Sequence, residues 1–292
     1  MATLSDIKRR ITSIQSTQKI TSAMKMVSAA KLRRAQEAIE AARPYSERMR
    51  TTLQEVGAAE MGDSHPLFEE RETVSTVELV VISSDRGLAG AFNSQITKQA
   101  ERLAQEWKAE GIETRFTIVG KKASEYFARH RPNQVTSARP IGPSVNYLEA
   151  QQIAERLMND YESGEIDRVV ILHNEFISAM TQTPTTVPLL PFVAPADSGE
   201  ADGDDESAPY EIEPNAKKLL AILIPKAVEV EVFRALLENQ AGEHAARMSA
   251  MENATKNTEE LIERLTLEYN RARQAAITSE LVEIITGAQA LE

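Results

Sequence analysis

The chain contains no cysteine. That absence removes disulfides, thiolate nucleophiles and Cys-based zinc sites together, and it fits a reducing compartment. Histidine is nearly as scarce: His65, His130, His173 and His244 stand apart, none at ligand spacing from another, so no metal site is expected. Aromatic residues make up 5% against 42% hydrophobic residues, the balance of a chain that is largely helix with a narrow apolar stripe. No window approaches the ~20 apolar residues that span a bilayer. The opening MATLSDIKRR lacks an apolar core of signal-peptide length. The expectation is a soluble protein, or one held at a membrane only by its partners.

Helix breakers are missing from one long stretch. No Gly or Pro falls between Gly242 and Gly287, so nothing local stops a helix there. Along it Met248, Met251, Thr255, Thr258, Ile262, Leu265, Tyr269, Ala272 and Ala276 recur in alternating steps of three and four, the a/d spacing of a coiled coil. A helix of some 60 to 70 residues would be about 90 to 105 Å long. No small domain buries that length, so the helix has to project and find a partner. Pro225 marks either a kink or the start of this helix.

A second helical stretch opens the chain, from Ala2 to about Val56. Ser5 is its expected N-cap, and Leu4, Ile7, Ile11 and Ile14 begin its seam. The seam turns polar at Gln18 and Thr21 and is expected to resume with Ile20, Met24 and Val27. Pro44 predicts a kink or an end. Two unpartnered seams at opposite ends of one chain have a simple solution, which is an antiparallel coiled coil of the termini.

Between them the period changes. Gly57 to Arg71 reads as a linker. Val74 to Ser83, Thr114 to Gly120 and Arg168 to His173 are apolar, β-branched runs, separated by helix-like segments at Gly90 to Glu110, Lys121 to Arg131 and Ser144 to Ser163. That alternation argues βαβ units in a mostly parallel sheet. Thr185 to Pro191 is a further strand whose prolines suit only an edge.

Charge is segregated. The net charge is -11, yet residues 1–50 carry eleven Lys or Arg against four acids, and Asp197 to Glu213 carries eight acids and no base. The acidic stretch, within Pro195 to Pro214, reads as a solvated loop, with an acidic docking loop as the alternative. The basic first helix offers Lys8, Arg9, Arg10, Lys19, Lys25, Lys31, Arg33 and Arg34 to phosphates. These residues are interleaved with an apolar seam and not with stacking aromatics, so an acidic protein socket suits them better than nucleic acid.

Catalytic patterns are sparse. The segment ISSDRGLAGAFNS, Ile82 to Ser94, leaves a strand and enters a helix with Gly87 and Gly90 in the turn. Such a turn either cradles phosphate on helix amides or is merely tight. It matches neither GxGxxG nor GxxxxGK[ST]. Asp85 and Arg86 are expected to pair with one another or with a partner protein. GxSxG and HExxH are absent. Two rival readings remain, a nucleotide-binding α/β enzyme with dimerising helices and a nucleic-acid-binding coiled coil.

Three blocks carry a resemblance. IKRRITSIQSTQKITSAMKMVSAAKLRRAQ, ISSDRGLAGAFNS and GEHAARMSAMENATKNTEELIERLTLEYNRARQAAITSELVEIITGAQAL, in that order, closely resemble the gamma subunit of the F-type ATP synthase. The likeness covers nearly the whole chain. It departs at the Pro195 to Pro214 loop and at Ala89 and Ala91, where relatives often carry Cys or Gly. The resemblance implies an α/β fold class: a long antiparallel coiled coil of N- and C-terminal helices with an inserted Rossmann-like α/β domain. It divides the chain into an N-terminal shaft helix (1–56), a foot domain (72–194), an acidic loop (195–214) and a C-terminal shaft helix (215–292). It implies a non-catalytic rotor, without cofactor, that couples proton flow to ATP synthesis or hydrolysis on other subunits. The implied partners are the alpha, beta, epsilon and delta subunits and the c-ring, with no nucleic acid, at the cytoplasmic face of the bacterial inner membrane. Met24, Arg247, Arg273 and Gln274 match positions where the family's shaft touches beta subunits, Arg273 and Gln274 within a catch. Small residues at Ser22, Ala23, Ser28, Ala29, Ala30, Gly287, Ala288 and Ala290 suit a shaft that has to slip past its surroundings.

Overall fold

A computed structural model describes residues 3–60, 65–192 and 216–289, without the side chains of 50, 54–60, 216–217 and 287–289. The acidic loop and Ala290 therefore lie outside what is described, as do the side chains at Gly287 and Ala288. In chain order the elements are α1 (Leu4–Glu60), β1 (Thr76–Ile82), α2 (Phe92–Ala109), β2 (Glu113–Val119), α3 (Lys121–His130), β3 (Val135–Arg139), α4 (Tyr147–Glu162), β4 (Arg168–Phe176), β5 (Gln182–Leu190) and α5 (Ala216–Gln289). They form two compact units: Met1–Ala29 with Arg247–Glu292, and Ala30–Ala246.

The first unit is an antiparallel helix pair. Gln18 donates to Glu259 (3.1 Å), Thr21 shares a hydrogen bond with Thr255 (2.8 Å), and Lys25 meets Glu252 (3.0 Å). Each step forward on α1 is thus a step back on α5. Carried outward, that register sets Ile14 level with Ile262 and Ile11 level with Leu265. All nine α5 residues of the expected seam are buried or half-buried, from Met248 to Ala276. Two details differ from expectation. The N-cap is Thr3, not Ser5: Thr3 Oγ1 accepts from the Asp6 amide (3.2 Å) while Asp6 Oδ2 accepts from the Thr3 amide (3.1 Å), a reciprocal capping box. The α1 seam also stays polar where it was expected to turn apolar. Thr21 and Ser28 are 8% and 4% exposed, whereas Ile20 and Val27 stand outside at 58% and 57%. Pair energies do not explain this, because an exposed ion pair is worth about 0–1 kcal/mol and burying an aliphatic side chain about 1.5–3. What stands across from this stretch of α1 is polar: Glu252, Thr255 and Glu259 each meet a polar partner there.

The second unit is built on a five-stranded sheet of order β3-β2-β1-β4-β5, parallel except for β5. Alternation along β1 divides the core. Val77, Leu79 and Val81 face α2 and α3, joining Ile96, Ala100, Phe116 and Phe127. Val80 and Ile82 face α4 and the inner parts of the terminal helices, joining Ile153, Leu157, Leu53, Leu220, Ile224, Val228 and Val232. Glu78 on the second face is fully buried. It accepts from Thr117 and Thr136 (2.6 Å to Thr136) and lies 3.6 Å from the Arg156 guanidinium, so the charge is paired.

Several boundaries moved for identifiable reasons. α1 passes through Pro44 to Glu60. Proline in a helix costs about 3 kcal/mol, and burial of Leu53 at about 1.5–3 kcal/mol, with Met49 against the same core, offsets it. Likewise α5 begins at Ala216 and carries Pro225 inside it, because Leu220 and Ile224 are already core. The expected linker is partly core too, since Leu67 is fully buried in a short 3-10 turn, Pro66–Phe68. β5 occupies the sheet edge as its prolines require. Pro184 and Pro188 share one phase of the strand, so both missing donors fall on the same side. β3 was not anticipated, being short, half-exposed and without an apolar run.

Two local contacts lead to tests. At the close of β2, Gly120 has φ +106°, and a Cβ there would lie 2.7 Å from the Ser83 backbone. Gly120→Ala should lower unfolding stability by about 1–3 kcal/mol, read as a reduced urea midpoint. On α5, Glu238 accepts from His173 (3.2 Å) and from Arg234 (2.9 Å). Burial alone would raise this carboxyl, but the His173 hydrogen bond and the Arg234 charge hold it below its ordinary value. A group depressed by folding stabilises above its unfolded pKa, near 4.5, and that contribution is lost as pH falls through the lower folded value. Glu238→Gln should therefore flatten the fall of the urea midpoint below about pH 4.5.

Candidate functional site

In an open α/β sheet the crevice for small ligands lies beyond the strand C-termini where strand order reverses. Here that point lies between β1 and β4, because the β2 and β3 crossovers run one way and α4 carries the chain back. The crevice is occupied by α5. Asn239 donates from Nδ2 to the Ser83 carbonyl (3.1 Å), and its Oδ1 lies 3.5 Å from the Asn174 amide. One turn on, Gly242 lets the helix close on its neighbours. A Cβ there would be 3.2 Å from the Phe92 ring, 3.4 Å from Gln182 and 3.5 Å from the Asn174 carbonyl.

The Ile82–Ser94 turn is closed by its own side chains. The Ser84 amide donates to Asn93 Oδ1 (3.0 Å), and the Ser84 hydroxyl donates to the Arg86 carbonyl (2.7 Å). Asp85 does not pair with Arg86. Its Oδ1 accepts from the amides of Lys121 (2.9 Å) and Ile141 (3.2 Å), and its Oδ2 from Gly142 (3.1 Å). It ties three loops together, a task for which three backbone donors outcompete one mobile guanidinium. This clamp holds out a residue that sequence reasoning missed. Leu88 has φ +62° and is 63% exposed. A left-handed leucine costs about 1–2 kcal/mol, and strain of this kind marks functional surfaces. The only sequence signal was its place between Gly87 and Gly90.

On the helix pair the expected contact residues do not converge. Arg273 and Gln274 are adjacent and exposed on α5. Met24 is half-buried beside the Lys25–Glu252 pair, about twenty residues and hence about 30 Å from Arg273 along the axis. Arg247, expected on the solvent face, is only 7% exposed and is engaged within the chain. Toward the end of α5, Ile277, Leu281, Val282, Ile284 and Ile285 are all at least half exposed. Among the described residues no group of His, Asp and Glu is arranged to hold a metal, and no helix is long and apolar enough to cross a membrane.

The arrangement offers surfaces, and comparison with known proteins gives the family. A family model described as ATP synthase matches residues 3–291. The ATP synthase gamma chain of Desulforamulus reducens is 47% identical over 292 residues, all of both chains, and that of Geobacter metallireducens is 46% identical over 293, again all of both. A chain in the central stalk and c-ring structure of the Tetrahymena thermophila mitochondrial ATP synthase is 25% identical with a TM-score of 0.60, covering 80% of this chain and 99% of that one. In the Euglena gracilis mitochondrial ATP synthase a chain with a TM-score of 0.64, 20% identical, covers 99% of this chain and 94% of that one, a likeness of fold. With its own helix in the ligand crevice, its paired terminal helices and this full-length kinship, the chain belongs to the ATP synthase gamma chain family.

Proposed function

We propose that this chain is the central rotor shaft of an F-type ATP synthase, coupling proton flow through a membrane sector to ATP synthesis or hydrolysis on a surrounding alpha/beta ring. The observation that carries the reading is a helix pair that satisfies its own seam yet keeps apolar side chains outside, Ile20 and Val27 on α1 and Ile277 and Ile284 on α5. Exposed apolar residues along a pair already complete suit a sheath of other subunits. No bond is made or broken on the chain. Its work is to present different sides in turn to otherwise equivalent catalytic subunits, so a given rotation favours a different nucleotide affinity in each.

Its partners in this reading are the alpha, beta, epsilon and delta subunits and the c-ring. It sits peripherally, through them, on the cytoplasmic face of the bacterial inner membrane. The division of labour follows the chain: shaft helices at 1–56 and 215–292, a foot at 72–194, and the acidic 195–214 loop between. Met24, Arg273 and Gln274 touch beta subunits from the shaft, and Arg86 with Leu88 does so from the β1–α2 turn. Asp85 and Arg247, being committed internally, act by holding these surfaces in place.

Purification of the full chain from its native membranes tests the reading. Alpha and beta subunits should accompany it at three copies each, and their absence would overturn it. The contact assignment is tested by Arg273→Ala with Gln274→Ala, both exposed and outside the seam. The double variant should keep wild-type helicity and assembly while lowering ATP synthesis several-fold in the reassembled enzyme. Unchanged synthesis would remove these residues from the contact.

A further inference from the structure

Between Gln18 and Ser28, α1 has two faces that compete for the seam. One is polar, with Gln18, Thr21, Lys25 and Ser28; the other is apolar, with Ile20, Met24 and Val27. At 3.6 residues per turn their centres lie roughly a third of a turn apart. The hydrophobic effect alone would turn the apolar face inward. Instead the polar face is in and Ile20 and Val27 are more than half exposed.

We propose that Glu252, Thr255 and Glu259 on α5, through Lys25, Thr21 and Gln18, are positioning residues that set the rotation of α1 about its own axis and so hold Ile20 and Val27 on the outside of the pair, with Met24 half-buried at its edge. Three successive contacts act on one face of α1: an ion pair at 3.0 Å, a hydroxyl–hydroxyl bond at 2.8 Å and an amide–carboxylate bond at 3.1 Å. The central bond is the least exposed; each hydroxyl also has a carbonyl of its own helix within reach, Gln18 at 3.0 Å from Thr21 and Met251 at 2.8 Å from Thr255, so one of the two donates across the pair and the other to its own helix. The two flanking carboxylates stay open to water, Glu252 with 41% of its side chain exposed and Glu259 exposed, so they act by attraction to Lys25 and Gln18 and not by a burial penalty. Specificity here is independent of what covers the outward face, and the assignment stands whether or not Met24 touches another subunit.

The absence of native cysteine makes the rotation measurable in the full chain. Val27→Cys and Ser28→Cys, made separately, report the outer and inner faces by their rates of maleimide labelling. In the native background Val27→Cys should label fast and Ser28→Cys slowly. Adding Lys25→Glu, which sets two carboxylates together, with Thr255→Leu should lower the Val27→Cys rate and raise the Ser28→Cys rate, each about tenfold, as expected for a shift between two populations. Lys25→Glu with Glu252→Lys restores opposite charges and should label like the native background. A merely structural role predicts faster labelling at both positions as the helices part, or no change at either, and both outcomes overturn the proposal. Failure of the charge-reversed pair to keep the native rates would overturn it as well.

Discussion

A helix too long to be buried has to satisfy its apolar seam from within its own chain, and most of this molecule follows from that requirement. In the unit of Met1–Ala29 and Arg247–Glu292, α1 supplies the missing half. Ile7 on α1 and Met251 and Leu265 on α5 are removed from water, while the charged faces stay solvated. In the unit of Ala30–Ala246, the same helices find a sheet face instead, and Leu220, Ile224, Val228 and Val232 become one layer of an α/β core. Two prolines that would ordinarily end helices are carried through because core residues lie on both sides of them.

That second use of α5 changes what the α/β fold can do. Strand order reverses between β1 and β4 as in ligand-binding relatives of the architecture, yet Asn239 and Gly242 bring the helix into the crevice that a nucleotide would take. Fold class by itself therefore misleads about function. The turn after β1 keeps the geometry of a displayed loop, and what it displays is Leu88. An architecture associated with binding small molecules serves here to hold a surface.

Legibility followed the strength of the local signal. The α5 seam from Met248 to Ala276, the three parallel strands and the edge position of β5 could all be read, because periodicity and proline chemistry act over a few residues. β3 could not, since five half-exposed residues pair with a neighbour whose proximity no local pattern announces. The contacts of Asp85 could not be read for a related reason. Its three amide partners come from α3 and the loop after β3, separated by tens of residues, and only folding brings them to one carboxylate.

By itself the sequence determined that there would be two long helices with seams, a parallel α/β segment between them, and no cysteine. Those features are set by spacing and residue type, which act before any tertiary contact exists. Which face of α1 turns inward was decided only by the tertiary structure. Ile20, Met24 and Val27 make the better seam on α1 alone, and the polar face wins because Glu252, Thr255 and Glu259 stand across from it. A preference that depends on two segments more than two hundred residues apart has no local signature, and here it settles which side chains meet the outside.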